Sequence, residues 1–147
     1  MLEQTKLIED NYKDLVKSIK QHEGYSGYQY TDTRGYKTIG YGTKLPLSQK
    51  EAKILLEYRL FRMVMELQLK QPFIKELPEP IQLVLYEMSY QLGVNGLLGF
   101  EDMLEACEQR DWNNMIKEMK DSKWYKETPH RVNKLISKVK DYMNDNK

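Results

Sequence analysis

The sequence predicts a mostly helical α+β protein of two lobes, and three observations predict it. Apolar residues recur at helical spacing along most of the chain, but over residues 25–43 glycine, threonine and tyrosine replace that period with a strand-turn-strand pattern. A continuous helical stretch of ~23 residues comes next, apolar over much of its circumference, as a spine touching material on both sides would be. Beyond it, only helical segments punctuated by proline and glycine follow. The expected organisation is one domain, 1–147, comprising an N-terminal helix and β-hairpin lobe (1–47), a connecting helix (48–71) and a helical C-terminal lobe (72–147).

In chain order, residues 3–23 read as a helix with Ile8, Tyr12, Leu15, Val16 and Ile19 along one stripe. Four residues past Ile19 the stripe reaches Glu23. Two readings stay open there: a carboxyl on the buried side, resisting ionisation through desolvation and the helix dipole, or a solvated last turn. Gly24 is a natural C-cap. Tyr28-x-Tyr30 and Tyr36-x-Thr38 suggest a hairpin turning near Gly35. A three-residue loop of Arg34, Gly35 and Tyr36 pairs Asp32 with Thr38 on one face, whereas a two-residue loop separates them. Gly40 and Gly42 flank Tyr41 and leave backbone open to close approach. Five tyrosines between 25 and 41 offer rings to a sugar, although strand propensity explains most of them equally well.

Ser48-x-x-Glu51 is a capping box that opens the connecting helix, which Pro72 stops. Its stripes are Ile54, Tyr58, Phe61, Met65 and Leu56, Leu60, Met63, Val64, Leu67, with the methionines as core filler. Leu77-Pro-Glu-Pro80 starts a helix that Gly93 closes, and a glycine-rich joint to Gly99 leads into a helix over 100–109. Asp111 caps a short helix around Trp112, and Thr128-Pro129 opens a final one.

Basic and acidic residues nearly cancel, 23 against 22, which gives no electrostatic case for nucleic acid or a membrane surface. Residues 117–147 carry nine Lys/Arg against five Asp/Glu; a solvated helix face is the favoured reading of that excess over an anion-binding patch. Lone Cys107 excludes an internal disulfide and suits a small buried thiol better than a nucleophile. Two histidines and one cysteine make a His/Cys metal site unconvincing, so no metal or cofactor is expected. No signal-peptide pattern and no membrane-span-length apolar run occur, which predicts no stable membrane insertion.

A protonated glutamate, an ionised aspartate and a water-holding hydroxyl are the parts needed to cleave a glycosidic bond. Glu23, Asp32 and Thr38 sit within His-Glu-Gly…Tyr-x-Asp-x-x-Gly-Tyr-x-Thr-Ile-Gly-Tyr-Gly, which resembles the catalytic signature of phage-type lysozymes, glycoside hydrolase family 24. Tyr90-Gln-Leu-Gly93, Gly99-Phe100, Asp111-Trp112 and Ser122 to Arg131 resemble that family's later landmarks, in order, over roughly residues 12–143. The resemblance implies a two-lobed lysozyme-like fold that hydrolyses the β-1,4 bond after N-acetylmuramic acid in peptidoglycan, by an inverting mechanism.

By the same resemblance Glu23 is the general acid, Asp32 the carboxylate that positions water or stabilises positive charge, and Thr38 the hydroxyl on that water. It assigns substrate contacts to Gly42, Lys44, Tyr90 and Gln91, with Glu118 at a further contact position, and gives Arg131 the role of pairing with Glu23. The sequence departs from relatives at Thr43 (histidine), Met103 (serine) and Glu118 (asparagine), and residues 1–11 extend beyond the family's usual start. The implied biology is a monomeric endolysin held in the host cytoplasm and released to the cell wall by a separate holin. The alternative is a catalytically weak or inactive module that kept the fold and binds peptidoglycan or a protein partner.

Overall fold

The computed structural model describes residues 2–147, apart from the side chains at 2, 4, 5, 7 and 9. Among the described residues it is 72% helical, with eight α-helices and one three-stranded antiparallel sheet, the α+β lysozyme-like class expected. The chain divides into two compact units, 1–57 and 58–147.

In the first unit, α1 (Leu2–Glu23) is kinked at Tyr12, whose φ of −131° and ψ of 28° leave the helical region. The expected buried stripe is not buried: Ile8, Tyr12, Leu15 and Ile19 are exposed and only Val16 is half-covered. Glu23 is exposed as well, so the solvated-last-turn reading holds. The physical reason is size. Strands of six, four and two residues offer too little surface to cover a 22-residue helix, and the kink puts the residues before it out of phase with those after. Gly24 closes the helix as expected, its N–H donating to the Lys20 carbonyl at 3.0 Å.

The sheet runs β1 (Ser26–Thr31), β2 (Lys37–Gly40), β3 (Thr43–Lys44) in that spatial order. Its register corrects the expected hairpin. Tyr30 opposes Thr38 and Thr31 opposes Lys37, so the loop is Thr33, Arg34 and Gly35, and the Asp32 N–H meets the Tyr36 carbonyl at 2.9 Å. Asp32 rather than Thr33 begins the turn because its side chain accepts from backbone N–H groups ahead of it, an Asx-type turn. The loop still has three residues, so parity survives: Asp32, two beyond Tyr30, falls on the Thr38 side of the sheet. β3 was not foreseen. Gly40 and Gly42, with φ of 71° and 77°, reverse the chain around Tyr41 and set Thr43 opposite Ile39 and Lys44 opposite Thr38.

Helix α2 (Gln49–Lys70) opens on the expected capping box, with Ser48 N–H donating to Glu51 Oε1 at 3.0 Å and Glu51 N–H to Ser48 Oγ at 3.1 Å. Its Ile54, Tyr58, Phe61 and Met65 stripe is exposed. Burial begins at Leu60 and is complete at Leu67, the only fully buried residue of the helix among those described.

The second unit follows a 3-10 turn at Pro72–Glu76 and consists of α3 (Glu79–Leu92), α4 (Val94–Leu98), α5 (Glu101–Glu108), α6 (Trp112–Lys120), α7 (Lys123–Glu127) and α8 (Pro129–Asp145). Helix α3 packs on α4 and α8, α6 on α5 and α8, and α7 on α8. The apolar core lies here, around Leu67, Ile81, Leu85, Met88, Met115 and Leu135. The expected glycine joint contains α4, because Leu97 is fully buried and anchors a helical turn there. Helix α7 was also missed; Ser122 caps it, accepting from Tyr125 N–H at 3.0 Å. Asp111 caps α6 as expected, accepting from Asn114 N–H at 3.1 Å. Thr128 stands at the N-cap position of α8, but its hydroxyl donates to the Trp124 carbonyl instead and accepts from Gln91.

Cys107 is buried filler, its thiol pushed up to about 12 by desolvation, which leaves no thiolate for nucleophilic chemistry. Ser89 differs in kind: among the described residues its hydroxyl is buried without a partner. Removing an unsatisfied buried hydroxyl relieves its desolvation cost, so Ser89→Ala is expected to stabilise the protein by about 1 kcal/mol, read as a higher urea midpoint at unchanged slope. A lower midpoint would mean that the hydroxyl is bonded in solution.

Candidate functional site

Three structural devices gather charged groups on the first unit. The end of α1 delivers Glu23, the Asx-type turn fixes Asp32, and the Gly40-Tyr41-Gly42 reversal brings β3 and Lys44 alongside. Glu23 lies against Gly42 so closely that a Cβ there would stand 2.6 Å from its Oε2 and 2.7 Å from its Cδ. A shallow pocket of about 220 Å³ beside it is lined by Glu23, Gly24, Tyr25, Ser26 and Tyr30.

Asp32 is held by three donors. Its Oδ1 accepts from the backbone N–H of Arg34 at 2.9 Å and of Tyr36 at 2.8 Å, while its Oδ2 accepts from the Lys44 ammonium in an ion pair. These bonds favour the carboxylate and lower its pKa from the usual aspartate value, Lys44 first and the Tyr36 amide next, against a smaller desolvation effect. Lys44 is raised in turn, chiefly by its bond to Asp32, with Glu23 and Tyr30 adding attraction. Thr38 has no exposed surface, and its hydroxyl donates to the Tyr36 carbonyl at 2.9 Å. Its proton is therefore spent on the strand, leaving its lone pairs as acceptors.

Two aromatic rings meet beside the end of α1. Tyr25 and Tyr41 have ring centroids 5.4 Å apart at 49°, and the Lys20 ammonium lies 5.1 Å from the Tyr41 centroid. A larger hollow of about 870 Å³ runs along α1 between Lys13, Lys17, Lys20 and these two rings, but none of Glu23, Asp32 and Thr38 lines it.

The remaining predicted residues belong to the second unit. Tyr90 is about half exposed near the end of α3. Gln91 is engaged at both ends of its amide, accepting from Trp124 Nε1 at 2.9 Å and donating to Thr128 Oγ1 at 3.3 Å, so one Nε2 proton is left for a ligand. Glu118 and Arg131 are half-buried on α6 and α8. Met103, one of the expected departures, is buried in the apolar core. Thr43 is exposed on β3.

Sequence reasoning took Lys44 only as a sugar contact and missed its grip on Asp32. The signal was available in Gly40-x-Gly42, a pair of glycines spaced to reverse a strand.

A mostly helical α+β chain with a small three-stranded sheet near its N-terminus is consistent with a lysozyme-like fold. The phage lysozyme family model matches residues 20–141, and the chain belongs to that family. It is similar to a probable T4-type lysozyme 1 of Dictyostelium discoideum, 29% identical over 153 aligned positions that cover 82% of this chain and 90% of the relative. It also resembles the pre-baseplate central spike protein Gp5 of Enterobacteria phage T4, at 26% identity over 152 positions, 82% of this chain but 26% of that protein. A probable T4-type lysozyme 2 of Dictyostelium discoideum matches at 32% over 56 positions, 38% of this chain and 33% of the relative. The chain is thus a lysozyme of muramidase type, and peptidoglycan is its substrate class. Among the described residues no helix is long and apolar enough to cross a membrane.

Proposed function

We propose that this lysozyme hydrolyses the β-1,4 bond between N-acetylmuramic acid and N-acetylglucosamine, with Glu23 as general acid, Asp32 as ionised carboxylate and Thr38 as acceptor for the attacking water. The observation that carries the reading is that Glu23 lies against Gly42, at the turn that leads into β3, while Lys44 on β3 bonds Asp32, so both carboxyls border the same short strand with unequal surroundings. Asp32 is bonded by three donors and held ionised, as a carboxylate facing developing positive charge must be. Glu23 has none of those bonds and lies against Gly42, the place that this reading gives to the general acid.

Exposure leaves the exclusion of water from Glu23 to the bound glycan. Thr38, its own proton fixed on the Tyr36 carbonyl, is assigned to accept from the water that attacks the anomeric carbon on the face opposite the departing, Glu23-protonated oxygen, as in an inverting enzyme. Gly42 on the first unit, and Tyr90, Gln91 and Glu118 on the second, are assigned to sugar contacts. Family membership supports a lytic role as an endolysin, acting as a monomer and released by a separate holin.

Mass spectrometry of peptidoglycan digested by the protein tests the bond. The expected products carry N-acetylmuramic acid at their reducing ends; N-acetylglucosamine at those ends, or 1,6-anhydro products, would sink the assignment.

A further inference from the structure

Lys44 is placed by the strand that sequence reasoning missed. The register sets Tyr30, Thr38 and Lys44 in one row across β1, β2 and β3, and Asp32 lies two residues beyond Tyr30 on the same side. From there the lysine chain reaches Asp32 Oδ2 while both backbone donors take Oδ1, so the carboxylate can neither rotate nor turn its free oxygen to solvent without breaking a bond. The Tyr36 ring lies 6.0 Å from the ammonium and flanks it. A lysine that served only to touch sugar would project its charge outward; here the charge is spent on the carboxylate.

We propose that Lys44 is a positioning residue that orients Asp32 and keeps it ionised during turnover, rather than primarily a contact for the sugar. The inference rests on the reading of Asp32 as the working carboxylate. Its charged surroundings are few. Glu23 from α1 and Tyr30 from β1 act on Lys44, Arg34 stacks at 5.7 Å over the Tyr36 ring, and Lys37 on β2 is turned to the Thr31 hydroxyl. Lys44 is therefore the cation that bonds Asp32, and its loss is not made good by a neighbour.

The direction of the effect follows. Asp32 works ionised and is protonated as pH falls; without the ammonium, protonation sets in at higher pH. In Lys44→Gln the acid limb of the pH–activity profile is expected to move to higher pH, with kcat at the plateau reduced and KM for soluble peptidoglycan oligomers unchanged. Lys44→Arg is expected to restore the wild-type limb. Carbon-13 NMR of selectively labelled aspartate, with Asp32 assigned from Asp32→Asn, reads the carboxyl without reference to activity, and its titration midpoint is expected to rise in Lys44→Gln. A raised KM with an unmoved acid limb would overturn the proposal in favour of a sugar contact, as would an unchanged Asp32 titration. A raised midpoint with an unmoved limb would overturn the role in turnover. Full activity of Asp32→Asn in that case would locate the failure in the assignment of Asp32 rather than in the grip of Lys44.

Discussion

Glu23→Gln is expected to lower the rate of peptidoglycan hydrolysis by about 10²- to 10⁴-fold, the usual worth of a positioned proton donor, while leaving the fold unchanged. The amide keeps the shape of the side chain and its place against Gly42, and it removes only the transferable proton. Stability is expected to change by no more than about 0.5 kcal/mol, because Glu23 is exposed at the end of α1 and contributes nothing to the apolar core. Release of reducing ends and a thermal melt, made on the same preparation, separate the two. A variant that melts like wild type and still digests peptidoglycan at the wild-type rate would remove Glu23 from the mechanism.

That exposure marks where the sequence was legible and where it was not. Helix ends were readable because their signals are local: Gly24, the Ser48-x-x-Glu51 box, Asp111 and Pro129 each act on the nearest turn. Burial of the α1 stripe was not readable, since spacing tells which residues share a face but not whether a partner large enough to cover that face exists. The hairpin shows a finer version of the same limit. Residue types placed a turn near Gly35 but left two- and three-residue loops open, and with them the shared face of Asp32 and Thr38; loop length and register both fell to hydrogen bonds from Arg34 and Tyr36 to the Asp32 carboxylate. Short helices α4 and α7 escaped for want of length, five residues being too few to display a period. The Asp32–Lys44 pair required all of this at once: turn, register and a two-residue third strand.

Gly42 turns the same geometry into a test of position rather than of chemistry. Its φ of 77° costs any L side chain about 1–2 kcal/mol, and a methyl group there would also overlap the Glu23 carboxyl. The overlap itself costs little stability, because Glu23 is a flexible exposed side chain that can swing away. Swinging away is the point. A displacement on the order of 1 Å from productive geometry costs about 10²-fold in rate, so Gly42→Ala is expected to lower kcat by roughly that factor. Gly40→Ala supplies the comparison: its φ of 71° carries a similar backbone strain, but nothing lies within 4 Å of the added Cβ. Both variants are expected to lose similar melting temperature, and only Gly42→Ala to lose kcat. Loss of a sugar contact at Gly42 would instead appear in KM, since it weakens ground state and transition state alike. Equal kcat in the two variants would mean that the working position of the Glu23 carboxyl is not the one that Gly42 leaves room for.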